Sequence, residues 1–411
     1  MPFIADFHIH SKYSRATSRE MDIPNIARFA KLKGISLIGT GDFTHFQWLV
    51  ELKKYLKPKS RGIFECEGVN FILTSEVSSI YTKNGKLRKI HNIILAPDFI
   101  TVEKINSGLS PYGKLDSDGR PILKLDAKDL LKLLLNISPE CVLIPAHIWT
   151  PHFSLFGSES GFDTIEECFG DLAKHIFAME TGLSSDPSMN WRLSALDRIT
   201  LISDSDAHSP KNMGREANML DCAIDYSEIV TAMKTKDKTK FLSTIEFFPE
   251  EGKYHFDGHR ECKVRFSPKE TMAHNKLCPV CGKKLTIGVM HRVEVLSDRE
   301  ENITPPSAIP FKNIIPLEEI IAESLGLSRN SITVEKEYFS VLSRLGTEFD
   351  ILMNIPEDEL KKKTHPRVVE GITKTRRGEV KINPGYDGVY GEIEIDWNNT
   401  NKNAETQIAL F

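Results

Sequence analysis

Residues 3–10 read Phe-Ile-Ala-Asp6-Phe-His8-Ile-His10, an apolar run that stops on an acid and two imidazoles. The arrangement returns at Leu37-Ile-Gly-Thr-Gly-Asp42-Phe-Thr-His45, Ile72-Leu-Thr-Ser-Glu76, Lys89-Ile-His91, Leu143-Ile-Pro-Ala-His147 and Leu201-Ile-Ser-Asp204-Ser-Asp206-Ala-His208. One histidine in such a place is more often a hydrogen-bonded core or surface residue than a ligand. Repetition in one context is different: nitrogen and carboxylate donors set where strands stop are what a multinuclear metal site requires. His8 and His10, two apart on a strand, share a face. Divalent ions held this way with open positions polarise a phosphate and acidify bound water, so metal-assisted hydrolysis is the expected chemistry.

Between these clusters the pattern alternates. Strands are expected at 3–7, 36–40, 70–76, 89–95, 141–145, 175–180 and 198–203. Helices are expected at 23–33, where Asp22 caps and Pro24 opens the first turn, and at 47–56 and 125–135. Asn84-Gly85 predicts a hairpin turn between two of the strands. Strand–helix alternation argues for a parallel α/β sheet or barrel, whose sites lie at the carboxyl ends of the strands. On that reading His45, His152 and His175 are structural, and Glu180, ending a strand, is a weaker donor.

The chain of 411 residues is 40% hydrophobic with a formal net charge of −4, so composition gives no global attraction to nucleic acid. No apolar run reaches the roughly 20 residues of a membrane span, and the N-terminus does not read as a signal peptide. A cytoplasmic home is expected. Cys66, Cys141, Cys168 and Cys222 are scattered and read as small core residues. Cys262, Cys278 and Cys281 crowd into a Gly/His-rich segment. His259-x2-Cys262 followed by Cys278-Pro-Val-Cys281-Gly predicts one structural zinc, with His255, His274 and His291 as other candidates for its fourth ligand. Farther on, an apolar helix is expected at 317–325, a second near 338–345, a basic stretch at 374–377 and a strand pair within 386–395.

Asp6-x-His8-x-His10, Thr40-Gly41-Asp42, Glu76, His91, His147 and Asp206-Ala207-His208 resemble the motifs of the polymerase-and-histidinol-phosphatase (PHP) superfamily. That resemblance implies a distorted (β/α)7 barrel with a trinuclear site for phosphoester hydrolysis. It implies that His8, His10, Glu76 and Asp206 hold one ion and Glu76, His91 and His147 a second, with Asp42 and His208 serving a third. The chain departs from the pattern where many members have His at the position of Asp42, and another His where Ser14 and Arg15 stand. The ions are expected to be two or three of zinc, manganese or magnesium. Asp206 is expected to act in catalysis as a ligand, and Asp204 or His208 to assist proton transfer.

The zinc segment 254–262 and 278–293, with Gly385-Tyr-Asp-Gly-Val-Tyr-Gly391, extends the resemblance over essentially the whole chain, to the endonuclease Q family of DNA repair enzymes. This implies nicking 5′ to uracil, hypoxanthine, xanthine or an abasic site in double- or single-stranded DNA, leaving a 3′-hydroxyl and a 5′-phosphate. Lys283, Lys284, Arg292, Lys374, Arg376, Arg377 and Lys381 are candidate phosphate contacts, each weighed against an ordinary solvated face. The expected organisation is a phosphoesterase barrel over 1–250, a zinc module over 251–297, a C-terminal α+β DNA-engaging region over 298–397 and a tail over 398–411. In that tail Gln407-Ile-Ala-Leu410-Phe411 resembles the first half of a sliding-clamp hook. Two alternatives stay open: a small-molecule phosphoesterase, and a nucleic-acid binding module whose metals are not catalytic.

Overall fold

Strand Phe3–Asp6 is buried along its length, as an unbroken apolar run demands of a central strand. A computed structural model describes residues 1–398 and places this strand between Ile35–Gly39, parallel to it, and Ala217–Leu220, antiparallel. The expected helix forms over Ile23–Lys33. The Asp22 side chain accepts from the Asn25 amide, and Gly34, at φ +89°, closes the helix on the Ala30 and Lys31 carbonyls. The helices Phe46–Tyr55, Ala127–Ile137 and Leu317–Leu325 lie within two residues of their predicted positions.

The sheet is mixed, where strand–helix alternation suggested parallel pairing outside the hairpin expected at Asn84-Gly85. Val69–Lys83 runs parallel to Ile35–Gly39 but turns at Asn84-Gly85, both at positive φ, and returns antiparallel as Lys86–Ala96. Val142–Pro145 then pairs antiparallel with Lys86–Ala96. Ala178–Glu180 and Thr200–Ile202 form a separate parallel pair, tied to the main sheet by the Ser203 amide donating to Asn218 Oδ1 at 3.0 Å. Phe241–Glu246 pairs with Ala217–Leu220, and Phe311–Asn313 extends that edge. His175 ends a 3-10 turn, Gly170–His175, and does not begin a strand. Near the C-terminus the paired strands are Val380–Asn383 and Glu392–Ile395, with 384–391 the loop joining them.

One apolar cluster reaches from Ile4 and Trp48 through Phe162 to Val341, Ile372 and Ile395, so the C-terminal helices pack on the N-terminal unit. Lys33 and Glu348 form a buried ion pair at 2.8 Å, with Tyr338 Oη and the Leu317 amide also donating to Glu348. Three donors converging on one buried carboxylate make it a joint between the two parts. Among the described residues no helix is long and apolar enough to cross a membrane. The clamp-like segment at 407–411 lies outside the described residues.

Below the strand ends, Glu216 and Glu246 stand side by side where Ala217–Leu220 and Phe241–Glu246 meet. Burial, with Asp186 nearby, pushes the Glu246 carboxyl up to about 8 from its usual 4.5. Burial and the Glu246 charge likewise raise Glu216. The unfolded carboxyl ionises first, so the stability tied to the protonated form is present at low pH and is lost between about 4.5 and 8. We expect the melting temperature to fall from pH 6 to pH 8.5, and Glu246→Gln to flatten that slope, to which one carboxyl contributes at most about 1.4 kcal/mol for each pH unit. Thermal unfolding in a pH series measures this, and an unchanged slope in the variant would contradict it.

Candidate metal centre

His8 and His10 follow the first strand on one face, while Ile9 between them turns into the core and bridges to Ala207. Asp42, His147 and Asp206 also follow strand ends, each at positive φ: +48°, +29° and +45°. Left-handed backbone at non-glycine residues is strained and persists where the surroundings over-determine it. Glu76 and His91 are placed differently from expectation. They sit mid-strand, because Val69–Lys83 and Lys86–Ala96 run on past the site as a long hairpin.

Glu76 is the centre of the constellation. Its Oε2 lies 3.4 Å from His8 Nε2 and 3.2 Å from His10 Nε2. Its Oε1 lies 2.7 Å from His91 Nδ1 and 3.1 Å from His147 Nε2. Two donor groups therefore share one carboxylate: His8, His10, Glu76 and Asp206, and Glu76, His91 and His147, each with donor atoms within 4.8 Å. His10 Nε2 and Asp206 Oδ1 are 3.0 Å apart, yet these atoms and His8 Nε2 make no directed hydrogen bond although buried. Buried polar atoms that converge without partners fit a cation at their centre.

The far nitrogens are held from behind. His8 Nδ1 meets Glu180 Oε1 at 2.7 Å, and Glu180 Oε2 accepts from the His147 amide at 2.6 Å. His10 Nδ1 meets Asp42 Oδ1 at 3.0 Å. Carboxylates on the back of imidazoles fix tautomer and ring direction, as around metal-ligating histidines. Asp42 also accepts from the Ser11 amide and from the Ser11 and Ser14 hydroxyls, at 2.6–2.9 Å. With its lone pairs so engaged, Asp42 orients His10, and among the described residues neither donor group includes Asp42 or His208. Gly119 leaves room for this, since a Cβ there would lie 2.2 Å from Asp42 Oδ2 and from Ser14 Oγ.

Burial alone would strip protons from these imidazoles. Around His8 the Glu180 and Glu76 charges outweigh it, and around His10 Asp42 and Asp206 do, holding both well above 6.5. For His91 burial wins over Glu76 and takes the ring down to about 4. Burial opposes ionisation of Glu76 too, but His91, Arg120 and His8 hold it well below the usual carboxylate range. Charges that draw protons onto buried imidazoles also attract a divalent cation.

The remaining expected residues divide. His208 lies at the mouth, ring centroid 4.5 Å from that of His10, with Nδ1 against the Asp206 carbonyl at 2.9 Å. Burial, with His10 beside it, keeps this ring neutral-leaning. Asp204 lies a layer below: it accepts from the Phe7 amide at 2.7 Å and Asn218 Nδ2 at 3.0 Å, and burial with Glu180 and Asp6 raises its carboxyl well above the usual range. His45 caps helix Phe46–Tyr55 and stacks on Tyr13, and His152 is exposed. Arg120, whose Nη1 is 3.1 Å from Glu76 Oε2, carried no signal in the sequence beyond a glycine before it.

Away from this centre, His259, Cys262, Cys278 and Cys281 bring donors within 4.8 Å of one another. His259 ends the short strand Asp257–His259, and Cys278–Cys281 forms a knuckle closed by Gly282 at φ +72°. Burial resists ionisation of Cys278, but the Cys281 and Val280 amides outweigh it and bring the thiol down to about 7. Burial, with the crowding of the other two thiols, pushes Cys262 up to about 11. One His and three Cys brought together in this way form a candidate metal-binding group. His291 is taken by Asp257 at 2.8 Å and His274 by the Glu270 carbonyl. His255 is buried and depressed to about 4.

Several candidate phosphate contacts point inward. Arg376 donates to the Ile351, Leu352 and Ile355 carbonyls, and Arg292 to those of Phe156 and Phe162 and to Asp163. Lys374 is buried against Glu379 and the Asp396 carbonyl. Arg377 lies near Glu357 and Lys381 near Asp396. Lys283 and Lys284 are exposed, with no ion pair among the described residues.

A buried His/carboxylate cluster over a mixed α/β sheet, with a separate group of one histidine and three cysteines, is hydrolase equipment. Residues 316–379 match the family model of the MJ0043 C-terminal domain. The chain is 33% identical over 264 residues to the uncharacterised protein MJ0043 of Methanocaldococcus jannaschii, a match covering 61% of this chain and only 32% of that protein. It is similar over 96% of both chains, at 34% identity and TM-score 0.86, to the lesion-specific endonuclease PfuEndoQ of Pyrococcus furiosus. A second solved structure, endonuclease Q in complex with a 27-mer duplex bearing an abasic lesion at the active site, matches at 34% identity and TM-score 0.84, over 96% of this chain and 97% of that one. The chain is an endonuclease, which sets aside the reading as a binding module alone. It belongs to the endonuclease Q family.

Proposed function

We propose that this chain nicks DNA on the 5′ side of deaminated bases (uracil, hypoxanthine, xanthine) and of abasic sites, leaving a 3′-hydroxyl and a 5′-phosphate. The observation that carries this is its 34% identity, over 96% of its length, to an endonuclease Q held on a duplex with an abasic lesion at the active site. The reading takes 1–250 as the distorted (β/α)7 phosphoesterase unit of the PHP superfamily, 251–297 as the zinc module and 298–397 as the DNA-engaging region. A damaged base is cheaper to extrude than a paired one, which favours lesions before any specific contact is made.

His8, His10, Glu76 and Asp206 would hold one divalent ion and Glu76, His91 and His147 another, of zinc, manganese or magnesium. Such ions, when bound, neutralise phosphate charge and acidify water. Glu180 and Asp42 keep the His8 and His10 Nε2 atoms aimed inward. His208 donates from Nδ1 to the Asp206 carbonyl, which leaves Nε2 free to take the proton of the attacking water. Lys283 and Lys284 would contact backbone phosphates. The same reading gives residues 407–411 to a sliding clamp.

The test is incubation with matched duplexes carrying uracil, hypoxanthine, an abasic site or no lesion, with and without chelator, followed by mapping of the cut and its ends. Lesion-dependent, chelator-sensitive cutting on the 5′ side is expected. Equal cutting of the intact duplex, or cutting that survives the chelator, refutes the proposal.

A further inference from the structure

Arg120 enters the donor cluster on a loop pinned on both sides of it. The Arg120 amide donates to Asp118 Oδ1 at 3.1 Å, and the same oxygen accepts from the Arg15 amide at 3.3 Å. The Gly119 amide donates to the Tyr13 carbonyl at 3.1 Å, and the Ser78 amide to the Pro121 carbonyl at 3.0 Å. Without a side chain at Gly119 the loop closes onto Asp42 and Ser14. The guanidinium is thereby placed with Nη1 3.1 Å from Glu76 Oε2, the oxygen that faces His8 and His10, while the side chain keeps 29% of its exposure.

The guanidinium joins the four imidazoles around Glu76 and helps hold that carboxylate ionised. With divalent cations in the two donor groups, the single charge of Glu76 would not balance two ions and a guanidinium, and a further anion among the three would be favourable. The side chain stays partly exposed, and its planar fork suits phosphate oxygens.

We infer that Arg120 and the two donor groups together form a subsite for one phosphate, in which the guanidinium binds the non-bridging oxygens of the phosphoryl group under attack. This rests on the proposed phosphodiester hydrolysis. As charge builds on those oxygens in the transition state, the preorganised fork stabilises it more than it stabilises bound substrate.

The test compares wild type, Arg120→Ala and Arg120→Lys, all loaded with manganese. Metal content is read by mass spectrometry, inorganic phosphate binding by calorimetry, and kcat and KM on a duplex with an abasic site. Both variants are expected to keep full metal content, and Arg120→Ala to bind phosphate at least about tenfold more weakly. Its kcat should fall about a hundredfold or more with KM little changed, as for loss of one transition-state donor. Added guanidinium should restore part of the lost rate, and Arg120→Lys should fall between, its point charge unable to make the fork. Phosphate affinity within twofold of wild type, or loss of metal from both variants, would overturn the inference, the latter making Arg120 a strut for Glu76. Failure of the wild type to nick any lesion duplex would instead refute the proposed function and leave the phosphate measurement readable.

Discussion

We expect His8→Ala and Asp206→Ala each to abolish nicking of lesion-bearing DNA while leaving affinity for that DNA within a few-fold of wild type. Both atoms lost, His8 Nε2 and Asp206 Oδ1, are buried, face the same point and make no directed hydrogen bond within the protein. Asp206 is partly exposed, and loss of His8 frees Glu180 Oε1 while the His147 amide still holds Oε2. Metal affinity in the first donor group should drop accordingly, and with it the activation of water and the neutralisation of phosphate charge. A loss of about 4 kcal/mol of transition-state stabilisation corresponds to roughly a thousandfold in rate, and we expect at least that. DNA affinity is spared because most of it comes from phosphate contacts spread over the duplex. Nicking rates and binding isotherms at one fixed salt concentration separate the two effects. Retained nicking in both variants would remove the proposed mechanism.

Cys278→Ser has the second large effect, and it falls on a different part of the molecule. The segment from Asp257 to Leu285 has a small core of its own, Val264, Cys278 and Leu285, with Cys262 and Phe266 packed against it. So little apolar area orders a segment of this length poorly, and an ion held by His259 and the three cysteines would supply the difference. Structural zinc in small modules contributes on the order of 10 kcal/mol of apparent binding energy at neutral pH. Replacing one thiolate with a hydroxyl should release the zinc and unfold this segment while the sheet and its buried cluster stay folded. We expect zinc content to fall from one equivalent toward zero. Amide exchange across 257–285 should accelerate by orders of magnitude, with strands such as Phe3–Asp6 unchanged. Full protection of that segment in a zinc-free variant would show that the tetrad is not what folds it.

The elements were legible in the sequence wherever a local signal set them. Asp22 and Gly34 mark both ends of helix Ile23–Lys33 because a capping side chain and a left-handed glycine act within one turn. Asn84-Gly85 declares its hairpin for the same reason. The direction of the other strands was not legible. Alternation with helices suggested parallel pairing, but Ala217–Leu220 runs antiparallel to Phe3–Asp6 and Val142–Pro145 antiparallel to Lys86–Ala96. Glu76 and His91 could be read as donors yet not as mid-strand residues, since nothing local tells a strand that ends at the site from one that continues beyond it.

The roles of charged residues divide the same way. Lys374, Arg376 and Arg292 look like any basic residues of a nucleic-acid enzyme, and only their partners, up to 136 positions away, show them capping carbonyls and buried carboxylates. Glu180 and Asp42 looked like donors, one weak and one for a third ion; the fold turns both to the backs of imidazoles.

By itself the sequence determined which donor chemistry exists and roughly where along the chain it is offered, because spacing of two on a strand or three in a knuckle settles face and turn locally. Only the tertiary structure decided that the two oxygens of Glu76 each face a different pair of histidines, that Asp42 is engaged by the protein and Asp204 lies a layer below, and that Arg120 reaches the centre. Those choices join side chains far apart in the chain. They depend on packing and on the high cost of leaving a buried charge without a partner, and no local spacing encodes either.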